Sequence, residues 1–193
     1  MLQVYQSAYR LTRLRSAAVT KGEICIMKQN YESELGEYIT IALLQLMQKK
    51  SYFQITITEI CRKAGVSRMS FYRCFDSKLD VLRQRISEVT DAFVAASGIS
   101  YRKNSLKKYF TTLFRHFLDN RESAALLHRD GLLYIVKNDI DRVFFSTYQD
   151  VYEEYKLRFI SGGIFDVYRL WLENGCKESP EEMAERLSAI LER

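Results

Sequence analysis

An all-α protein is the fold this sequence predicts, and three observations predict it. Proline occurs once and glycine eight times in 193 residues, so almost nothing interrupts a helical backbone. Apolar residues recur at spacings of three and four, the period of one helix face. Helix-opening pairs, a Ser or Thr followed three residues later by an acid, stand at Thr56/Glu59, Ser77/Asp80 and Ser179/Glu182. With 47% hydrophobic and 27% charged residues, the chain can bury a real core in one or two soluble domains.

Residues 1–30 form a basic N-terminal extension, with five Lys or Arg against one acid, ahead of any regular period. A disordered tail is preferred to a basic arm that adds contacts to DNA. A third reading takes Met27 as the start and 1–26 as translated leader, since codons for Lys21-Gly22-Glu23 can spell a ribosome-binding sequence just upstream. From Ser33, the spacing of Leu35, Ile39, Ala42, Leu43 and Leu46 predicts a helix, ended by Lys49 and Lys50 at the negative end of its dipole. Thr56 opens a second helix at Ile57, with Ile57, Ile60, Cys61 and Ala64 on its inner face. Gly65 follows, suited to a left-handed turn. Ser67 caps a third helix running to about Phe75, and Ser77 with Asp80 starts a fourth.

Two short helices joined by a glycine-containing turn make a helix-turn-helix, whose second helix, here Arg68 to Cys74, enters the major groove of DNA. Spacing directs Val66, Phe71 and Phe75 inward and leaves Arg68, Met69, Tyr72 and Arg73 outward. The plainer alternative is a corner between two helices with ordinary solvated charges; caps, glycine, apolar triad and basic outer face together favour DNA. The charge distribution is compatible. Residues 31–86 carry nine basic side chains against six acids, and residues 87–193 fifteen against seventeen, so the positive excess is N-terminal.

The stretch ITITEICRKAGVSRMSFYRCFDSKLDVL resembles the DNA-binding signature of the tetracycline-repressor (TetR) family, over about residues 33 to 82. The resemblance implies a homodimeric transcription regulator. Its helix-turn-helix DNA-binding domain would span 31–78 and its helical regulatory and dimerisation domain 79–193. The resemblance places Thr56, Thr58, Tyr72 and Lys78 where the family meets phosphates, and Ser67, Arg68, Met69, Ser70 and Arg73 at positions that read bases. Arg68 is suited to bidentate contact with guanine, and Arg73 to base or phosphate. Two residues depart from the pattern: Cys74 stands where His is frequent, and Met69 where Pro, Lys or a small residue is frequent.

Beyond Arg83 the chain reads as five or six further helices, with breaks near 98–104, 119–121, Gly131, Asn138-Asp139 and 174–179. Aromatic residues crowd this half. Core packing explains most of them; an effector pocket between helices would draw on Tyr109, Phe114, His116, Phe117, His128, Tyr134, Phe145, Tyr148 and Tyr152. FISGGIFDVYRLWLENG predicts one helix ended by Gly175, its Gly162-Gly163 pair suggesting close approach of another helix. Ser179, Pro180 and Glu182 open the last helix. Ile160, Gly162, Gly163, Ile164, Val167 and Trp171 on the first, with Met183, Leu187 and Ile190 on the second, are assigned to a dimer interface closing a four-helix bundle. Packing of the same stripes inside one subunit is the alternative.

The expected function is therefore a homodimeric repressor binding a palindromic double-stranded DNA operator under control of a small-molecule effector. The alternative is a TetR-like coactivator that acts through a protein partner without sequence-specific DNA binding, since the SGG, Trp, NG and SPEEMA elements resemble a branch of small TetR-like regulators that includes coactivators. Enzyme activity is not expected: no metal-ligand cluster, phosphate-cradling loop or nucleophile–base pair is spelled out. No cofactor and no metal are expected. Four scattered cysteines without a CxxC suit a reducing cytoplasm, Cys74 reads as structural rather than redox-active, and no apolar run is long enough for a membrane span.

Overall fold

The computed structural model describes the backbone of residues 21–99, 101, 105–145 and 151–192, with side chains from residue 31 and, in the last segment, from residue 154. Among the described residues the structure is helical and without strands. The helices are α1 (Lys21–Met47), α2 (Ile57–Ala64), α3 (Arg68–Cys74), α4 (Lys78–Ser97), α5 (Leu106–Asp119), α6 (Arg121–Arg129), α7 (Tyr134–Phe145), α8 (Val151–Glu173) and α9 (Pro180–Leu191). Two compact units result, Met1–Leu82 and Arg83–Arg193, dividing within α4.

In the first unit α1 packs on α2 and α3. It begins at Lys21, twelve residues before the apolar period, so residues 21–30 are helical; the remainder of the basic extension lies outside the described residues. Leu35, Ile39, Ala42 and Leu43 are buried as their spacing predicts, while Met47 takes the last buried position and Leu46 is half-buried. Lys50 does not act on the helix dipole alone. Its ammonium pairs with Glu59 at 2.6 Å, tying the end of α1 to the start of α2.

That start is a complete capping box. The Thr56 hydroxyl accepts the Glu59 N–H, and the Glu59 carboxylate accepts the Thr56 N–H. With Lys50 and both Thr56 bonds favouring its charged form, the Glu59 carboxyl is lowered to about 2. Gly65 has φ 71° and reverses the chain, its N–H bonding Cys61 O. Ser67 then accepts the Ser70 N–H to cap α3, and Ser77 accepts the Asp80 N–H to open α4. Phe71, with 0% exposure, anchors α3, and Phe75 lies against Gly36 of α1.

The second unit is built on aromatic packing. Phe114 of α5 meets Trp171 of α8 edge-on at 5.2 Å, and Phe117 stacks on Tyr168 at 4.0 Å. The Trp171 indole N–H donates to Glu178 O. α9 packs along α5 and is opened by a full Ser179/Glu182 box with Pro180 at its start. The break expected at Asn138-Asp139 does not occur, because Asp139 is fixed inside α7. Its Oδ1 accepts from Arg142 at 2.7 Å and from Ser87 of α4 at 3.2 Å, while Arg142 reaches Asp91 of α4 at 2.8 Å. These contacts override the weak helix propensity of Asn and Asp.

Candidate nucleic-acid interface

Packing of the first unit leaves the outer surface of α3 free. Phe71 and Phe75 turn inward while Arg68, Met69, Tyr72 and Arg73 are exposed, Met69 and Arg73 on the side of the helix opposite Phe71. Val66 contributes only partly to the inner face, being half-buried. Met69 is 85% exposed and Tyr72 48%, both unusual for apolar or aromatic side chains on so short a helix. The Arg68 guanidinium makes no hydrogen bond or ion pair among the described residues, and the Tyr72 hydroxyl has no partner there.

Other predicted contacts are already engaged. Ser67 caps α3, and its hydroxyl lies 3.0 Å from that of Ser70, so the pair serves the helix start before it serves a base. Arg73 leans toward α1, its guanidinium 5.5 Å from the Tyr31 ring and 3.7 Å from Glu32. The Thr56 hydroxyl donates its one proton to Glu59 at 2.9 Å, which makes it a cap, whereas Thr58 is exposed beside it. Lys78 departs furthest from expectation. Its ammonium donates to Tyr52 O and Ile55 O, each at 2.8 Å, and lies 4.2 Å from the centre of the Tyr52 ring. Burial and the nearby Lys50 charge both lower its pKa. Lys78 thus fixes the turn before α2 and retains one N–H for a phosphate.

Cys74 is turned toward α1, with its thiol donating to Glu32 O at 3.7 Å, and burial pushes its pKa up. Both observations fit a structural thiol. Tyr31, Glu32 and Lys50 were missed as supports of this surface because their partners lie far along the chain. Phe53, exposed beside the predicted Thr contacts, carried no spacing signal either.

Of the residues expected to line an effector pocket, Phe114, His116 and Phe117 lie together, each ring within 6.3 Å of the next. Tyr109, Phe114 and Phe117 are buried core residues packed on other rings. His116 stacks on Phe93 of α4 at 4.0 Å, and His128 lies 3.5 Å from Glu173. Phe145 sits under the Arg158 guanidinium, and Tyr134 is exposed. Tyr148 lies outside the described residues, as does the side chain of Tyr152.

The residues expected at a dimer interface divide between buried and exposed positions. Ile160, Ile164 and Trp171 of α8, with Met183 and Leu187 of α9, are buried within their own chain, because α8 and α9 use these faces to complete the core. Val167 is half-buried; Ile190 and Gly163 are exposed, and Gly162 is partly so. A different apolar row faces outward on α8: Tyr155 at 75% exposure, Phe159 at 79%, and Leu170. Gly163 falls between Phe159 and Leu170 on the same face, and at either glycine no described atom beyond its chain neighbours and the backbone of its own helix lies within 4 Å of where a Cβ would stand.

Comparison with known proteins agrees with this architecture. The family of bacterial regulatory proteins named tetR matches residues 39–84, and a transcriptional regulator C-terminal region matches residues 104–193. No curated protein matches the sequence. Among solved structures, a TetR transcriptional regulator from Streptococcus agalactiae 2603V aligns over 88% of this chain and 99% of its own, with TM-score 0.61 and 21% identity. The dihydroxyacetone kinase operon activator DhaS aligns over 81% and 93%, with TM-score 0.51 and 19% identity. With the helix-turn-helix of α2 and α3 and matches covering most of the chain, this protein belongs to the TetR family of DNA-binding transcriptional regulators.

Proposed function

We propose that the protein is a homodimer that binds a palindromic operator through α3 of each subunit and represses transcription until a small-molecule effector binds its second unit. The observation that carries this reading is the outer face of α3, where Arg68, Met69 and Tyr72 are exposed. Tyr72, Thr58 and the remaining N–H of Lys78 grip phosphate and hold register, while Arg68 reads sequence. Two copies pair along the outward row of α8, Tyr155, Phe159 and Leu170, joined by Ile190 of α9. Gly163 lets the two α8 backbones approach, which supports the sequence-based idea of a glycine contact on a face other than the one expected.

Selection of random duplex DNA by the purified protein, followed by salt titration on the enriched sequence, tests the reading. The expected result is a palindrome bound with a log–log salt slope of about −5, for about six phosphate contacts per dimer. No enrichment at low salt would overturn operator binding and direct the search to a protein partner, the mode of a coactivator.

A further inference from the structure

We infer that Met69 reads the 5-methyl group of a thymine next to the guanine held by Arg68, so that each operator half-site carries an adjacent guanine and thymine in the major groove. The inference rests on the operator-binding reading and sharpens it. Met69 is 85% exposed, the most exposed large apolar side chain among the described residues. It occupies the second position of α3, immediately after Arg68, so the two exposed side chains leave the same first turn, Met69 on the side opposite Phe71.

The neighbouring groups narrow what the helix can read. Ser67 and Ser70 are engaged with the helix cap and with each other, Arg73 lies against Tyr31 and Glu32, and Cys74 is turned toward the Glu32 carbonyl. Arg68 and Met69 are left as the base-reading pair. A thioether chain offers no strong hydrogen bond to a base edge, but it is unbranched and polarisable and adapts its shape to an apolar contact. The thymine methyl is the one apolar group that the major groove displays. Guanine, in turn, presents the two acceptors that suit the Arg68 fork.

Replacing thymine by deoxyuridine removes this methyl and leaves the hydrogen-bonding edge unchanged, so deoxyuridine scanning of the selected operator tests the inference directly. Wild-type protein should lose affinity about fourfold when the one relevant thymine in a half-site is replaced, and on the order of fifteenfold when both half-sites are. In Met69→Ala the operator should be bound more weakly, and the same replacement should then have no effect. In Arg68→Ala the methyl effect should persist while preference for the neighbouring guanine is lost. Met69 is 85% exposed, so coincident thermal melts of Met69→Ala and wild type will show that folding is not the cause. Specific binding with no methyl-sensitive thymine would overturn the inference. So would a methyl effect that survives in Met69→Ala. Failure to bind any sequence would overturn the operator reading itself and this inference with it.

Discussion

Helices α3 and α8 both carry apolar residues on two opposite faces, but only in α3 does the sequence show which face goes inside. The difference is one of length and composition. Across the seven residues of α3, the inward side chain is Phe71 and the opposite face bears Arg73, so burying the wrong side would bury charge. Across the 23 residues of α8, Leu157, Ile160, Ile164, Tyr168 and Trp171 make one stripe, and Tyr155, Phe159 and Leu170 make another about half a turn away. Either could serve as core. The choice is made by α5, whose Phe114 and Phe117 receive Trp171 and Tyr168. Periodicity finds stripes, and only the partner element decides which of them is interior.

The largest expected effects test that sorting directly. Phe71→Ala and Trp171→Ala should each cost about 3–5 kcal/mol of folding stability, read by urea unfolding, since each empties a fully packed site. If Trp171 instead lay in a subunit interface, its loss would dissociate the dimer while leaving the folded subunit intact. The opposite stripe should behave in that second way. Phe159→Arg is expected to weaken dimerisation by about 2 kcal/mol or more, roughly thirtyfold, in sedimentation equilibrium, with helical content unchanged. Loss of fold in Phe159→Arg would return that face to the core.

The first unit offers the sharper functional contrast. Arg68→Ala should relax discrimination at one base pair by about 1–3 kcal/mol with little change in stability, because the side chain is exposed and makes no hydrogen bond or ion pair among the described residues. Unchanged preference at every position would remove Arg68 from base readout. Ser179→Ala should cost about 1 kcal/mol of stability, measured by the same urea titration, through the capping box of α9.

Local signals were legible because they are complete within a few residues. Thr56 with Glu59, Gly65, Ser67, Ser77 with Asp80, and Ser179 with Glu182 each open or close a helix as their sequence predicts. The outward residues of α3 were legible for the same reason. What stayed hidden depends on partners distant in sequence. The Lys78 ammonium is held by carbonyls 23 and 26 residues earlier, Arg73 by Glu32, and Asp139 by Ser87 on another helix. Asn138-Asp139 reads as a helix break by propensity and is a helix interior in fact, since the Ser87, Arg142 and Asp91 contacts hold it there. The early start of α1 was hidden differently: residues 21–30 lack a clean apolar period, yet they extend a helix already nucleated by its packed half.

The smallest expected effect concerns a residue placed in a ligand site by its chemistry and in the core by its surroundings. His116 stacks on Phe93 with its ring partly withdrawn from water, and burial lowers its pKa below the ordinary 6.5, with only Asp119 opposing. The unfolded chain then binds the proton more readily than the folded one. Stability linked to His116 is present above the unfolded pKa and declines as pH falls through it. Thermal melts of wild type and His116→Phe at about pH 7.5 and about pH 5.5 isolate the effect, since pH 6.5 lies between them. Wild type should lose stability relative to the variant on acidification. An equal loss in both proteins would mean that the imidazole is as easily charged in the fold as outside it, and the stacked, water-excluded placement of His116 against α4 would have to be abandoned.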